Sequence, residues 1–265
     1  MWYFVIGFML LIAGVDGAPV QHSGEESVSG IEAVGGVMLI VAMAILVMLC
    51  AETVQPGDPM PPWVMTIQPD PALDAGIQGI SDGLTVVDHN TVFRHRKGHF
   101  EADGAQWGCA LSKGKHVFEI TWPIRFRDAC ASVGVGTKEA PLFVKPRDSL
   151  VGCNRHSWGL DISKCKALHK GEILCTYPRG KSVPIKFFMF VDCDSGSIAF
   201  GTDRVYWGSS ISFPKTALPV YPMMGLIAQG AQVSMIYRGT GGRLAPNAAA
   251  VNPLLVEMLP QPLKH

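Results

Sequence analysis

Between Lys115 and Tyr237 the chain alternates short apolar runs with closing residues of the Gly, Pro, Asp and Ser type. The runs read KHVFEITWP (115–123), ASVGVGTKEAPL (131–142), SLVGCNRHSWGLDI (149–162), ALHKGE (167–172), FFMFVDCDSGSIAFGT (187–202) and LPVYPMMGL (218–226). In VFEITW, Val117, Glu119 and Thr121 alternate with Phe118, Ile120 and Trp122. That period of two lets one face pack inward while the other is wetted. Gly134 and Gly136 flank Val135, and glycine inside a strand admits close approach by another backbone or a bulky side chain. FFMFVDCD is apolar almost throughout, the pattern of a strand covered on both faces. Asp194-Ser195-Gly196 then signals a tight turn, and a last strand runs over 231–237. Roughly 10–13 strands with almost no helix predict an all-β, two-sheet antiparallel sandwich.

Ahead of this region the pattern changes. Residues 2–15 are apolar and lead to small residues at Gly17 and Ala18, so 1–17 reads as a signal peptide. Residues 33–51 contain no charge, and as a helix they would span about 28 Å, the thickness of a hydrocarbon core. They are the candidate transmembrane helix, giving the sandwich N-terminal hydrophobic helical segments. Residues 52–74 are Pro-rich and read as a stiff, extended linker. The globular domain is expected over 75–239, followed by a short tail, 240–265, with room for one short helix at 251–258. No Lys or Arg precedes Arg94, so loop charge does not orient the span. A cleaved signal with one span, or a two-span hairpin, puts the domain in the cytosol. A single signal-anchor leaves it lumenal, and without a true membrane segment the chain is cytoplasmic or nuclear.

Composition narrows the function. Formal net charge is zero and charged residues are 17% of the chain, so nothing points to nucleic acid, which calls for a basic face. The seven cysteines (50, 109, 130, 153, 165, 175 and 193) are odd in number, irregular in spacing and include no CxxC pair. Thiols in a reducing compartment fit this better than a disulfide framework. No N-x-S/T sequon occurs.

Candidate chemistry is sparse. His89, His95 and His99 lie close in sequence, but strand and loop without a nearby Cys or acid pair is a poor zinc site, so no metal is assigned. Cys153 and His156 would need a spatial pairing that spacing alone does not supply, and no catalytic residue is assigned. Asp192 and Asp194 flank a turn and fit hairpin chemistry. Trp122, Trp158 and Phe200 read as core, Trp107 and Trp207 as candidates for exposed contacts, and 113–115 as a solvated turn. No cofactor motif is present.

Taken in order, the blocks resemble a SPRY (B30.2-type) domain, in particular those of the SPRY domain-containing SOCS box proteins and the F-box/SPRY proteins. The resemblance rests on G-x-H-x-F-x-I-x-W from Gly114 to Trp122, V-G-V-G-T from Val133 to Thr137 and Ala140-Pro141-Leu142. It continues through Leu150-Val151-Gly152, Ser157-Trp158-Gly159, the LHxxG turn at 168–171, the hairpin from Asp192 to Phe200 and Tyr221-Pro222. Leu160 and the HKGE wording lean toward the third branch of the SOCS-box group. The resemblance implies a protein-binding module rather than an enzyme, with a pocket for a short Asn-rich peptide formed by three loops. By that likeness the pocket residues are Arg94, Arg96 and Lys97, then Arg147, Leu150 and Gly152, then Ile227, Ala228 and Gln229. The Pro of the family's first loop, the Tyr of its second and the V-W-G of its third are replaced here, which implies altered specificity toward a more acidic ligand. The family's SOCS box recruits elongin B/C and a cullin ubiquitin ligase. The tail after Gly239 is short for such a box and lacks the Cys of its L-x-x-x-C contact, although Leu259-Pro260-Gln261-Pro262-Leu263-Lys264 resembles its ending. The competing expectation is a secreted or lumenal sandwich that binds a glycan or receptor.

Overall fold

The computed structural model describes residues 58–145, 148–178 and 182–242. Two antiparallel sheets of eight strands face each other. The first runs β14 (Tyr206–Ser212), β13 (Ser197–Gly201), β12 (Lys186–Asp192), β6 (Lys115–Thr121), β16 (Gln232–Gly241), β4 (Thr91–Arg94) and β3 (Leu84–Asp88), with β1 (Ile67–Gln68) attached to β16. The second runs β11 (Glu172–Thr176), β10 (Lys166–His169), β9 (Ser157–Asp161), β7 (Ser132–Gly136), β15 (Tyr221–Leu226), β5 (Ala102–Trp107) and β2 (Ile77–Ile80), with β8 (Phe143–Val144) attached to β5. The only helices among the described residues are three short 3-10 turns, and none is long and apolar enough to cross a membrane. The signal peptide and span expected at 1–17 and 33–51 lie outside the described residues, as does the tail from 243 onward.

The two inner faces build one core. Phe118 and Ile120 of β6, Phe187 and Met189 of β12, Phe200 of β13 and Trp158 of β9 are all buried in it, as the alternation requires. Glycine fits the close strands: a Cβ on Gly134 would lie 2.1 Å from the carbonyl oxygen of Trp158. The β12–β13 hairpin closes through Asp192, whose Oδ1 accepts the backbone N–H groups of Asp194 and Ser195, both at 3.0 Å.

Two expectations change. Trp107 is not an exposed contact. It is 1% exposed, donates its indole N–H to the Leu73 carbonyl at 2.9 Å and packs edge-on against Phe118. Its strand reads ADGAQW, so small and polar neighbours conceal a core position. Trp207 is half-buried against Tyr177. The second change concerns the Pro-rich stretch. Residues 62–66 form a 3-10 turn with proline at its start, where a missing N–H costs nothing. Val64 and Ile67 then bury against Val117, Phe188 and Phe190 on the outer face of the first sheet. The expected linker thus supplies the second cover of β12, whose Phe187 and Met189 face the core while Phe188 and Phe190 face this wrap.

Candidate functional site

Three chain segments meet at one end of the sandwich. The β4–β5 loop (95–101) is tied to the β15–β16 loop because Arg94 N donates to Ala231 O at 2.8 Å and Gly230 N to Arg94 O at 2.9 Å. It is tied to the segment after β7 through β8, whose Phe143 pairs with Asp103 and Val144 with Ala102. Gly104 permits this contact, since a Cβ there would come 2.9 Å from the Leu142 backbone. Further along, Leu150 packs onto Gly225, one residue before the end of β15. Leu150, Val151, Ala140 and Met223 form a small apolar cluster beneath this region.

A buried ion cluster fixes the first loop. Arg94 and Asp103 are fully buried and joined by an Nε–Oδ2 hydrogen bond of 3.0 Å. Asp103 also accepts Arg96 Nε at 2.9 Å and the Ser81 hydroxyl at 2.9 Å. The remaining Arg94 N–H groups donate to loop carbonyls: Arg96 at 3.0 Å, Gly98 at 3.1 Å and Glu101 at 2.9 Å. Burial pulls the Arg94 pKa below its ordinary value, with Asp103 opposing, while the hydrogen bond to Asp103 raises that of Arg96. Arginine titrates so high that both stay charged at neutral pH.

Arg96 is the member of the cluster that reaches the surface. Its guanidinium lies 4.9 Å from the Phe143 ring centroid, and the Lys145 ammonium lies 5.4 Å from the same ring. Glu101 pairs with both cations. A cleft of about 410 Å³ opens here, lined by Ser81, Asp82, Arg96, Leu142 and Phe143.

The residues expected from the resemblance fall into separate roles. Arg94 is buried and holds the loop, Arg96 lines the cleft and Lys97 is exposed beside it. Leu150 and Gly152 are buried, as are Ile227 and Ala228, while Gln229 is exposed. Arg147 lies outside the described residues. Sequence reasoning missed Asp82, Asp103, Leu142 and Phe143. The A-P-L motif stops one residue short of Phe143, and Asp103 is the charged residue inside an otherwise buried strand.

The other candidates resolve into structure. His89 contacts Asp74 at 3.1 Å and His99 contacts Asp128 at 3.0 Å. No group of three metal-ligating side chains occurs among the described residues. The Cys153 thiol donates to Leu150 O at 3.1 Å, and burial pushes its pKa up, the wrong direction for a nucleophile. His156 Nε2 instead meets Arg155 Nε at 3.0 Å.

The structure thus combines a two-sheet sandwich with joined end loops and a surface cleft. Residues 115–240 match the SPRY domain family model. Relatives of the chain include the human SPRY domain-containing SOCS box protein 2, 31% identical over 166 residues, which cover 60% of this chain and 63% of that protein. Drosophila melanogaster protein gustavus is 34% identical over 137 residues, 49% of each chain. Danio rerio F-box/SPRY domain-containing protein 1 is 28% identical over 145 residues, 52% of this chain and 48% of that one. The chain therefore spans about half to three fifths of the lengths of these relatives.

Proposed function

We propose that this chain recognises a short peptide segment of a partner protein at the loop end of its SPRY domain and acts as an adaptor. The observation that supports this most is the fixed first loop beside an open cleft. A loop held by a buried guanidinium loses little freedom on binding, which favours affinity. The cleft combines an aromatic ring with cations above it, suited to an apolar body carrying a negative tip. Selection of substrates for a cullin-type ubiquitin ligase through elongins B and C is the downstream role, in keeping with the SOCS box in the names of the relatives. Attachment to a membrane through 33–51, with the SPRY domain in the cytosol, completes the reading.

A peptide array probed with the full-length chain tests the first part. Acidic variants are expected to bind more tightly than an Asn-rich parent peptide. An unaltered Asn-rich preference would refute the altered specificity, and no binding anywhere on the array would refute peptide recognition. Co-purification of elongins B and C tests the ligase role. Protease protection in sealed microsomes tests the topology, since a protected domain would contradict a cytosolic one.

A further inference from the structure

A second buried guanidinium orders a different part of the loop end. Arg127 takes no part in the cleft. It donates to the carbonyls of Trp122, Val183 and Pro184, which clamps the turn after β6 to the segment ahead of β12. Trp122 N adds a bond to Ile185 O at 2.8 Å, beside the Thr121–Lys186 pair where β6 ends and β12 begins. The clamp leaves two side chains outward: Ile124 is 64% exposed and Ile185 49%. On the far side of the same turn His99 meets Asp128 at 3.0 Å, which brings in the β4–β5 loop and Phe100, 75% exposed. Single exposed apolar residues by themselves mean little. Here Phe100, Ile124 and Ile185 share one ridge of fixed loops, whereas the other exposed large apolar side chains among the described residues lie on the edge strands β3 and β11. Each isoleucine is followed by a cation. Arg125 is exposed and stacks 4.7 Å from the Phe126 ring centroid. Lys186 shares Glu119 with Arg238, which leaves one positive charge in that group.

We propose that this ridge docks on the surface of a lipid bilayer, with Phe100, Ile124 and Ile185 in the acyl boundary and Arg125 and Lys186 at the level of the headgroups. Apolar tips beside cations suit that interface, and the cations favour the anionic lipids of a cytosolic leaflet. Chain length selects a bilayer over a second copy or another protein, and here the inference rests on the reading of 33–51 as a membrane attachment. Only residues 52–57 separate that segment from Asp58, so a bilayer that holds it lies within about 25 Å of Asp58. Asp58 enters the fold at the ridge end of the first sheet. It bridges Tyr206, Tyr206 pairs with Gly201, Gly201 pairs with Phe188, and Phe188 follows closely on Ile185. The attachment thus delivers the ridge to the lipid surface.

Photo-crosslinking of the full-length chain tests this, in nanodiscs that contain phosphatidylserine and a phosphatidylcholine with a diazirine on its acyl chain. Lipid adducts are expected on 99–101, 123–126 and 183–186 as well as on 33–51. Ile124→Gln combined with Ile185→Gln should lower the adducts on the ridge roughly ten-fold or more and leave those on 33–51 unchanged. Unchanged melting of this variant, expected from the exposure of both side chains, excludes misfolding. Adducts confined to 33–51, undiminished ridge adducts in the double variant, or equal adducts on β3 and β11 would overturn the docking while leaving the attachment intact. A ridge without lipid adducts that becomes shielded from aqueous labelling as protein concentration rises would assign it to a second copy, and would also overturn the docking. No adduct anywhere on the chain would overturn both.

Discussion

Removing the Asp103 carboxylate should cost more stability than removing the Arg94 guanidinium, although the two groups form one ion pair. The asymmetry follows from their other partners. Asp103→Leu leaves Arg94, fully buried, without the carboxylate it is bonded to, and takes the same partner from Arg96 and Ser81. Breaking a buried pair so that a charge stays uncompensated costs about 3–5 kcal/mol. Arg94→Met keeps the volume and leaves Asp103 still bonded to Arg96 and Ser81. Its cost is the loss of charge-assisted bonds to carbonyls that water can reach in an exposed loop, about 2–3 kcal/mol. In the double variant Arg96, 28% exposed at its side chain, turns to Glu101 and solvent. The two effects should then fall short of additivity by about 1–3 kcal/mol.

Urea unfolding followed by tryptophan fluorescence measures this. With a slope of about 2 kcal/mol per molar, Asp103→Leu shifts the midpoint down by about 1.5–2.5 M. The reasoning fails if Asp103→Leu costs no more than Arg94→Met. It also fails if the single effects add to within about 0.5 kcal/mol. Amide exchange supplies a separate readout, since Arg94→Met should speed exchange across 95–101 and leave β12 unchanged.

Further outcomes follow from the packing. His116 is 2% exposed between Tyr237 Oη at 3.0 Å and Lys113 O at 2.9 Å, and burial lowers its pKa. The unfolded chain therefore binds this proton more readily, so stability is full above about pH 6.5 and falls as pH drops toward the folded value; melting of His116→Gln should fall less over that window. The Tyr177 hydroxyl donates to Gly208 O at 2.6 Å and accepts Phe200 N at 2.8 Å, so Tyr177→Phe should cost about 1–3 kcal/mol in urea unfolding. Gly134→Ala drives a Cβ into the backbone of Trp158 and Gly159 and should cost about 3 kcal/mol, read by the same assay. Val64→Asp should detach the 62–68 wrap and uncover Phe188 and Phe190, giving a gain in fluorescence of a dye that binds exposed apolar surface.

The strands were legible where periodicity and apolarity coincide. The unbroken run of β12 implied cover on both faces, and both faces are covered. Its second cover was hidden because prolines at 59, 61, 62, 69 and 71 give that stretch the composition of a linker. Met60, Trp63, Val64 and Ile67, set among those prolines, provide the apolar contacts. Composition averages over such a segment, while packing depends on four side chains. Trp107 was obscure for a related reason: Ala102, Gly104 and Ala105 are small enough to be buried without forming an apolar run.

The site shows where a sequence stops being informative. Parity along β4 places Val92 and Arg94 on one face, and Val92 belongs to the core, so an inward Arg94 was readable in principle. What parity could not supply was the partner, since Asp103 becomes a counter-ion only through the packing of β4 against the start of β5. That pairing separates two neighbouring arginines into different tasks. Arg94 fixes the loop and is removed from the surface, whereas Arg96 keeps one edge on Asp103 and offers the other to the cleft. Lys97, Phe100 and Gln229 are exposed at the loop end, and substitutions at such positions usually change stability by less than about 0.5 kcal/mol. The loop tips can therefore vary in sequence while the buried ion cluster holds their shape. The motifs that define the scaffold are consequently tied to the buried cluster and the core, and they leave the exposed loop residues undetermined.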